Sequence, residues 1–211
     1  MTDDLKKQMN KIYSENSWEN IPWNYKRLPE TLRNFLTEYN IKPCKTLDVG
    51  CGSGNYSNWL AENGFTVTGI DLSDQAIKNA GQKYKTDNLK FICGDFLDDE
   101  VLKNEKFDFI FDWQVLHHIF PEDREKYIRK IKSHLSEKGI YVSVCFSEEN
   151  EQFGGKGKYR KTFFDTELYF SSEDEINVLL KKYFELVEIK TITIPGKTFE
   201  HKDILAIAKG S

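Results

Sequence analysis

The stretch Thr46-Leu47-Asp48-Val49-Gly50-Cys51-Gly52-Ser53-Gly54-Asn55-Tyr56 limits what this chain can fold into more than any other. An apolar run interrupted by one acid leads into three glycines that alternate with small residues, and a helical pattern then begins. That order reads as a buried strand, a tight turn and a helix N-terminus. Glycines at alternate positions open backbone conformations closed to other residues and let a ligand approach the main chain. Open α/β sheets bind nucleotide-like ligands in this manner, at the carboxyl ends of their strands.

The pattern repeats down the chain. Phe65–Asp71, Leu89–Cys93, Lys106–Trp113 and Gly139–Phe146 read as strands. Between them lie helical patterns after Asn55, over Asp74–Tyr84 and from Pro121 to about Leu135. Leu5, Met9 and Ile12 predict an amphipathic helix over residues 3–13, and Pro29 opens another through Tyr39. Near the C-terminus, Ser171 or Ser172 caps a helix through Lys182, with Glu175 placed for a capping box. Two strands, about Phe184–Ile194 and Asp203–Ala208, end the chain as a hairpin. The expected fold is therefore α/β: a Rossmann-like three-layer α/β/α sandwich around a seven-stranded, mostly parallel sheet with an antiparallel last strand.

Composition narrows the function. A chain of 211 residues suits one well-cored domain. The net charge of −4, with lysines and acids interspersed, argues against a general nucleic-acid binder, though not against one specific RNA contact. No apolar run approaches the ~20 residues of a membrane span, and residues 1–7 are no signal peptide, so a cytoplasmic location is expected. Cys44, Cys51, Cys93 and Cys145 lack C-x-x-C spacing, so no metal site is expected and buried reduced thiols are.

The glycine spacing excludes two familiar loops. A G-x-G-x-x-G dinucleotide fingerprint needs glycine where Asn55 stands, and no G-x-x-x-x-G-K-[ST] occurs. Leu47-Asp48-Val49-Gly50-Cys51-Gly52-Ser53-Gly54 instead resembles the first motif of the class I S-adenosylmethionine (SAM) dependent methyltransferases. The resemblance covers residues 43–147 by motif and the remainder by pattern. It implies SAM as cofactor, with S-adenosylhomocysteine as product. Gly50, Cys51, Gly52 and Gly54 would bring the backbone to SAM, and Asp48 would orient its ammonium end. Asp71, at the end of the second strand, would receive the ribose hydroxyls; capping the next helix is its other reading, although Ser73 suits that task better. Leu72 would lie on the adenine. Asp95 would accept from the adenine amino group and Phe96 would meet the ring. Asp112 and Trp113 would lie beside the methyl group.

The fourth strand runs into Gln114-Val115-Leu116-His117-His118, which resembles the corresponding loop of the small-molecule branch of this superfamily. His117 or His118 is the candidate catalytic base; packing of the loop is the alternative. Before the first motif, Tyr13, Trp18, Trp23 and Tyr25 suit a lid, because aromatic faces attract a positive sulfur. Tyr13 and Trp23 are assigned to the cofactor, Trp18 and Tyr25 to the acceptor. These aromatics are also similar to those of the thiopurine, tellurite and halide methyltransferases.

Residues 147–171 form a long insertion without regular pattern, and long loops in compact domains are commonly functional. Tyr159 and Tyr169 would wall an acceptor there, with Phe163, Phe164 and Phe170. Arg160 and Lys158 would hold an anionic group or else form a solvated basic face. The expected organisation is one domain over residues 1–211: a lid (1–42), a SAM-binding core (43–146), the insertion (147–171) and a C-terminal helix and hairpin (172–211). The expected activity is methyl transfer to a small-molecule acceptor by a monomer or weak homodimer, without nucleic acid or membrane. A SAM- or nucleotide-binding protein without transfer activity, and a protein or peptide acceptor, are the alternatives.

Overall fold

A computed structural model describes residues 3–197 and 200–209. Two helices, α1 (Asp3–Glu15) and α2 (Glu30–Glu38), precede the sheet, with a single 3-10 turn at Trp18–Asn20 between them. Strand and helix then alternate through β1 (Lys45–Val49), α3 (Asn55–Glu62), β2 (Thr66–Asp71), α4 (Asp74–Lys83), β3 (Leu89–Cys93) and β4 (Phe107–Trp113). Next come α5 (Pro121–His134) and β5 (Leu135–Phe146), then a small hairpin of β6 (Tyr159–Lys161) and β7 (Glu167–Tyr169). The described chain closes with α6 (Glu173–Lys181), β8 (Glu185–Ile194) and β9 (His201–Lys209).

The seven main strands lie in the order β3-β2-β1-β4-β5-β9-β8. Pairs among β1 to β5 are parallel, and β9 runs antiparallel to both of its neighbours, β5 and β8. This is the expected seven-stranded sheet with one reversed strand.

Strand residues point alternately to the two faces. Leu47, Val49, Ile110, Tyr141 and Ile204 meet Tyr127, Ile128 and Ile131 of α5 and Ile176 and Leu180 of α6 on one face. Val67, Phe109, Phe111, Val142 and Ile207 meet Leu32, Phe35 and Leu36 of α2 and Leu60 of α3 on the other. Phe109 and Phe111 have no exposed surface, and burying each ring stabilises the fold by roughly 1.5–3 kcal/mol.

Local signals set the helix ends. Ser73 accepts from the Ala76 N–H, and Ser172 with Glu175 forms the complete capping box. Two expectations need correction. β5 begins at Leu135 rather than Gly139, because Leu135 already pairs with Phe107 before a bulge resets the register to Phe109–Ile140. The insertion is not irregular throughout, since it carries the β6–β7 hairpin. The thiols also differ from expectation: all four cysteines are free, but only Cys145 is buried, and Cys93 is exposed beside Asp74. Among the described residues, no helix is long and apolar enough to cross a membrane.

Candidate functional site

A cavity of about 970 Å³ opens at the carboxyl ends of β1, β2, β4 and β5, where the sheet order turns back on itself. Its floor is the β1–α3 turn. Gly50 and Gly52 both have positive φ, at 72° and 52°. A Cβ on Gly50 would fall 2.3 Å from the Val115 side chain, and one on Gly52 would fall 2.5 Å from the Tyr13 hydroxyl. Both positions therefore need glycine for conformation and for space. Gly54 differs: its missing Cβ makes room for the Phe91 ring of β3, and it lies outside the cavity wall. Its role is packing of α3 on the sheet, which corrects its assignment to the cofactor.

Asp71 ties the turn together. One carboxylate oxygen accepts from the Gly52 N–H and the other from the Ser73 N–H, each at 2.8 Å, while the residue lines the cavity. Each oxygen keeps a second lone pair for a ligand. Asp48 lines the floor beside it and accepts from the Ser57 hydroxyl at 2.6 Å. Burial, with the nearby charge of Asp71, pushes the Asp48 carboxyl up to about 7. Burial also raises Asp71.

Asp112 lies beneath the cavity and not in it. Its neighbour Trp113 faces the cavity, so strand alternation turns Asp112 to the opposite face. There its oxygens accept from the hydroxyls of Tyr127, Tyr141 and Ser143. Burial raises it to about 6 against those hydrogen bonds. The assignment of Asp112 to the cofactor is corrected accordingly. None of Asp48, Asp71 and Asp112 has an ion-pair partner among the described residues. The cavity floor is thus a concentration of buried negative charge without a resident cation, a setting that favours a positively charged ligand.

Leu72 and Phe96 line the same chamber, but Asp95 does not; its carboxylate accepts from the Leu97 N–H across a turn. Cys51 lines it as well. The roof comes from two distant segments. Tyr13 of α1 is buried, and its hydroxyl accepts from the Trp23 indole N–H at 2.8 Å. Trp23 in turn meets the Phe164 ring at the tip of the β6–β7 hairpin, edge to face at 6.0 Å. Tyr25 also lines the cavity. Trp18 does not: its indole donates to Asn55 at 3.2 Å, and the Lys83 ammonium lies over its ring at 4.2 Å. It braces the start of α3, which corrects its assignment to the acceptor.

The second chamber is walled by Trp113, Phe146, Phe153, Phe163 and Phe164. Its polar side begins at Gln114, a non-glycine residue held at φ 62°. Strain of this kind collects at functional positions. His117 and His118 both line the chamber, but they are not equivalent. The His117 ring stacks on Phe146 at 4.2 Å, and its Nδ1 accepts from the Phe146 N–H at 3.4 Å. That contact leaves the proton on Nε2, so His117 has no lone pair to offer a ligand. His118 Nδ1 is buried with no partner, and burial lowers the ring to about 4, keeping it neutral.

The insertion contributes differently from expectation. The Arg160 guanidinium is buried and donates to the carbonyls of Glu148, Asn150, Gln152 and Gly157 while lying 4.0 Å over Phe170. Lys158 pairs with Glu148 and Glu175. Tyr169 donates to Glu175, and Tyr159 is half exposed on Phe120 and Tyr169. None of Tyr159, Arg160 and Tyr169 reaches the cavity. A three-residue strand has one inward position per turn of the pleat, and in β6 it went to Arg160 as a staple for the loop.

Two residues escaped sequence reasoning. His201 of β9 lines the chamber with its Nδ1 buried and unpartnered. Asp203, fully buried two residues on, accepts from the Gln114 amide at 2.9 Å through one oxygen and leaves the other without a partner. The available signal was an acid opening an otherwise apolar strand, Ile204–Ala208. Among the described residues, no group of three His, Cys, Asp or Glu side chains converges to hold a metal.

Residues 47–143 match a family model described as a methyltransferase domain. A ubiquinone biosynthesis O-methyltransferase from Rickettsia canadensis (strain McKiel) is 29% identical over 117 residues, 55% of this chain and 49% of that protein. The chain spans about half to just under two thirds of the length of the curated relatives it matches. Among solved structures, the Burkholderia thailandensis 1,6-didemethyltoxoflavin-N1-methyltransferase, with bound 1,6-didemethyltoxoflavin and S-adenosylhomocysteine, superposes with a TM-score of 0.76 at 20% identity. That match covers 98% of this chain and 87% of the other. A magnesium protoporphyrin IX methyltransferase from Synechocystis PCC 6803 with bound SAM superposes at 0.71 and 16% identity, covering 100% and 99%.

Proposed function

We propose that this chain is a class I SAM-dependent methyltransferase that transfers the methyl group of SAM to a small-molecule acceptor. The observation that carries this reading is the pairing of a buried, uncompensated acidic floor with a second, aromatic chamber in one cavity. SAM is a cation with an ammonium and a sulfonium, so it suits a floor that would repel the phosphates of a dinucleotide. A cavity of about 970 Å³ lies at the upper end of the roughly 300–1,000 Å³ of ligand sites, with room for cofactor and acceptor together.

The residues present fit the cofactor. Gly50 and Gly52 let Val115 and Tyr13 close onto the turn at the cavity, and Asp48 stands ready for the ammonium. Asp71 offers its remaining lone pairs to the ribose while its backbone bonds hold the turn. Leu72 and Phe96 provide apolar surface for the adenine. Bound there, SAM supplies a methyl group on a positively charged sulfur, which an acceptor lone pair displaces in line to leave S-adenosylhomocysteine. The protein's work is alignment and exclusion of water. Tyr13, Trp23 and Phe164 close the roof, and Trp113 lines the wall. His118 Nδ1 accepts the hydrogen bond of the acceptor's O–H or N–H and takes its proton as the new bond to carbon forms.

Calorimetry with SAM, S-adenosylhomocysteine and NAD tests the cofactor reading. Micromolar binding of the two adenosyl ligands and none of NAD is expected. Absence of binding by both adenosyl ligands overturns it.

A further inference from the structure

Only three buried side-chain polar atoms lack a hydrogen-bond partner among the described residues: two belong to residues that line the aromatic chamber, and the third to Asp203, which holds the lining residue Gln114 from behind the wall. They are His118 Nδ1, His201 Nδ1 and Asp203 Oδ1. Phe146 joins them. It stacks on His117, which adjoins His118 at 4.7 Å; it packs 5.3 Å from the His201 ring; and it pairs in register with Asp203. Leaving a buried polar group unsatisfied costs about 1–3 kcal/mol, so three in one place mark a surface that a ligand completes. The strained Gln114 belongs to the same group, because its side-chain amide holds the other Asp203 oxygen at 2.9 Å.

We propose that His118, His201 and the side chain of Gln114, which Asp203 holds from behind the cavity wall, form the recognition edge for the acceptor, and that this acceptor is a neutral, flat aromatic or heteroaromatic molecule with neighbouring hydroxyl or ring-nitrogen groups. The inference rests on the methyl-transfer reading above and names the substrate class of that site. Flatness follows from walls of Trp113, Phe146 and Phe153, whose faces reward an extended π-surface. Neutrality follows from the fate of the nearby cations. Lys197 donates to the carbonyls of Glu19 and Ile21, Lys202 pairs with Glu149, and Arg124 and Arg160 are taken up mainly by backbone carbonyls. Lys197 and Lys202 line the cavity, but Asp48, Asp71, Glu149, Glu151 and Glu200 line it too, so carboxylates outnumber cations and the lining disfavours a carboxylate or phosphate on the acceptor. Paired groups follow from the edge itself, which offers imidazole nitrogens and the Gln114 amide to a ligand that both donates and accepts.

The test uses the full chain saturated with S-adenosylhomocysteine, and three probes read by ligand-observed NMR: catechol, 2-hydroxypyridine and benzoate. Catechol and 2-hydroxypyridine are expected to bind, and benzoate not. Gln114→Asn and His201→Phe should each weaken binding of the first two by about tenfold, equivalent to about 1.4 kcal/mol for one buried hydrogen bond. Affinity for S-adenosylhomocysteine should stay within about twofold in both variants, since neither residue is assigned to the cofactor; it also reports that each variant is folded. Binding of benzoate in preference to the neutral probes, no binding of any probe, or neutral-probe binding indifferent to both variants overturns the inference. Failure of the methyl-transfer reading looks different: the parent protein then does not bind S-adenosylhomocysteine at all.

Discussion

Asp48→Asn should make the ligand-free protein more stable and a poorer cofactor binder at once. The carboxyl is buried, 2% exposed, and held at about 7 in place of the ordinary 3.8. The native state therefore holds its proton more tightly than the unfolded chain does. Stability from this group is complete below pH 3.8, falls as pH rises towards 7, and is flat above. An amide at this position has no such dependence. At 1.36 kcal/mol per pH unit of separation, the variant should exceed the parent by roughly 1.5 kcal/mol at pH 5 and roughly 4 kcal/mol at pH 8. These are ceilings, since the turn relaxes around the charge. For a domain of this size the larger figure corresponds to a rise in Tm on the order of 10 °C, with a rise of a few degrees at pH 5. The Ser57 hydroxyl can still donate to the amide oxygen, while the new amide N–H groups need acceptors and reduce the gain below these ceilings. Losing a charged partner for the ammonium should weaken SAM binding roughly 30-fold, from about 2 kcal/mol for a charge-assisted bond. Thermal unfolding at the two pH values, and calorimetry with SAM, measure both effects. A variant no more stable than the parent at pH 8, or a stability gap that does not widen from pH 5 to pH 8, would refute the idea of an uncompensated buried charge.

Three further outcomes are expected. Asp71→Ala leaves the Gly52 and Ser73 N–H groups without acceptors, so it should cost about 1–3 kcal/mol of stability and weaken S-adenosylhomocysteine binding by about tenfold or more, read by denaturant unfolding and calorimetry. Gly52→Ala should weaken that binding more in the parent than in a Tyr13→Phe background, because without the hydroxyl the nearest atom of ring 13 stands at an ordinary 3.6 Å; equal losses in the two backgrounds would separate the glycine from Tyr13. Arg160→Met should destabilise by about 2–4 kcal/mol in urea while leaving cofactor affinity unchanged, and Arg160→Lys should not restore it, because one ammonium cannot serve the spread of carbonyls that the guanidinium reaches.

What could be read from the sequence follows the range of the forces involved. The sheet and the glycine turn were legible because apolar periodicity and positive φ are local properties; Ser73, Ser172 and Glu175 cap helices as their spacing requires. Asp112 was misplaced although strand parity held the answer: with Trp113 facing the cavity, its neighbour faces the other way. Arg160 and Tyr169 were misplaced for a different reason. A loop charge reads as available until the carbonyls around it are known, and those carbonyls belong to residues 148–157, whose path nothing local fixes. His201 and Asp203 lie far in sequence from the histidine pair, and only the seating of β9 against β5 brings them together.

The contact of Trp23 with Phe164 has a kinetic meaning. A segment from the start of the chain and a hairpin tip meet edge to edge above the cavity that both line. Parting that seam exposes both compartments together. Under the methyl-transfer reading proposed above, loss of the spent cofactor and entry of the next acceptor share one gate, and strengthening that contact is expected to slow the cycle without touching the chemistry beneath it.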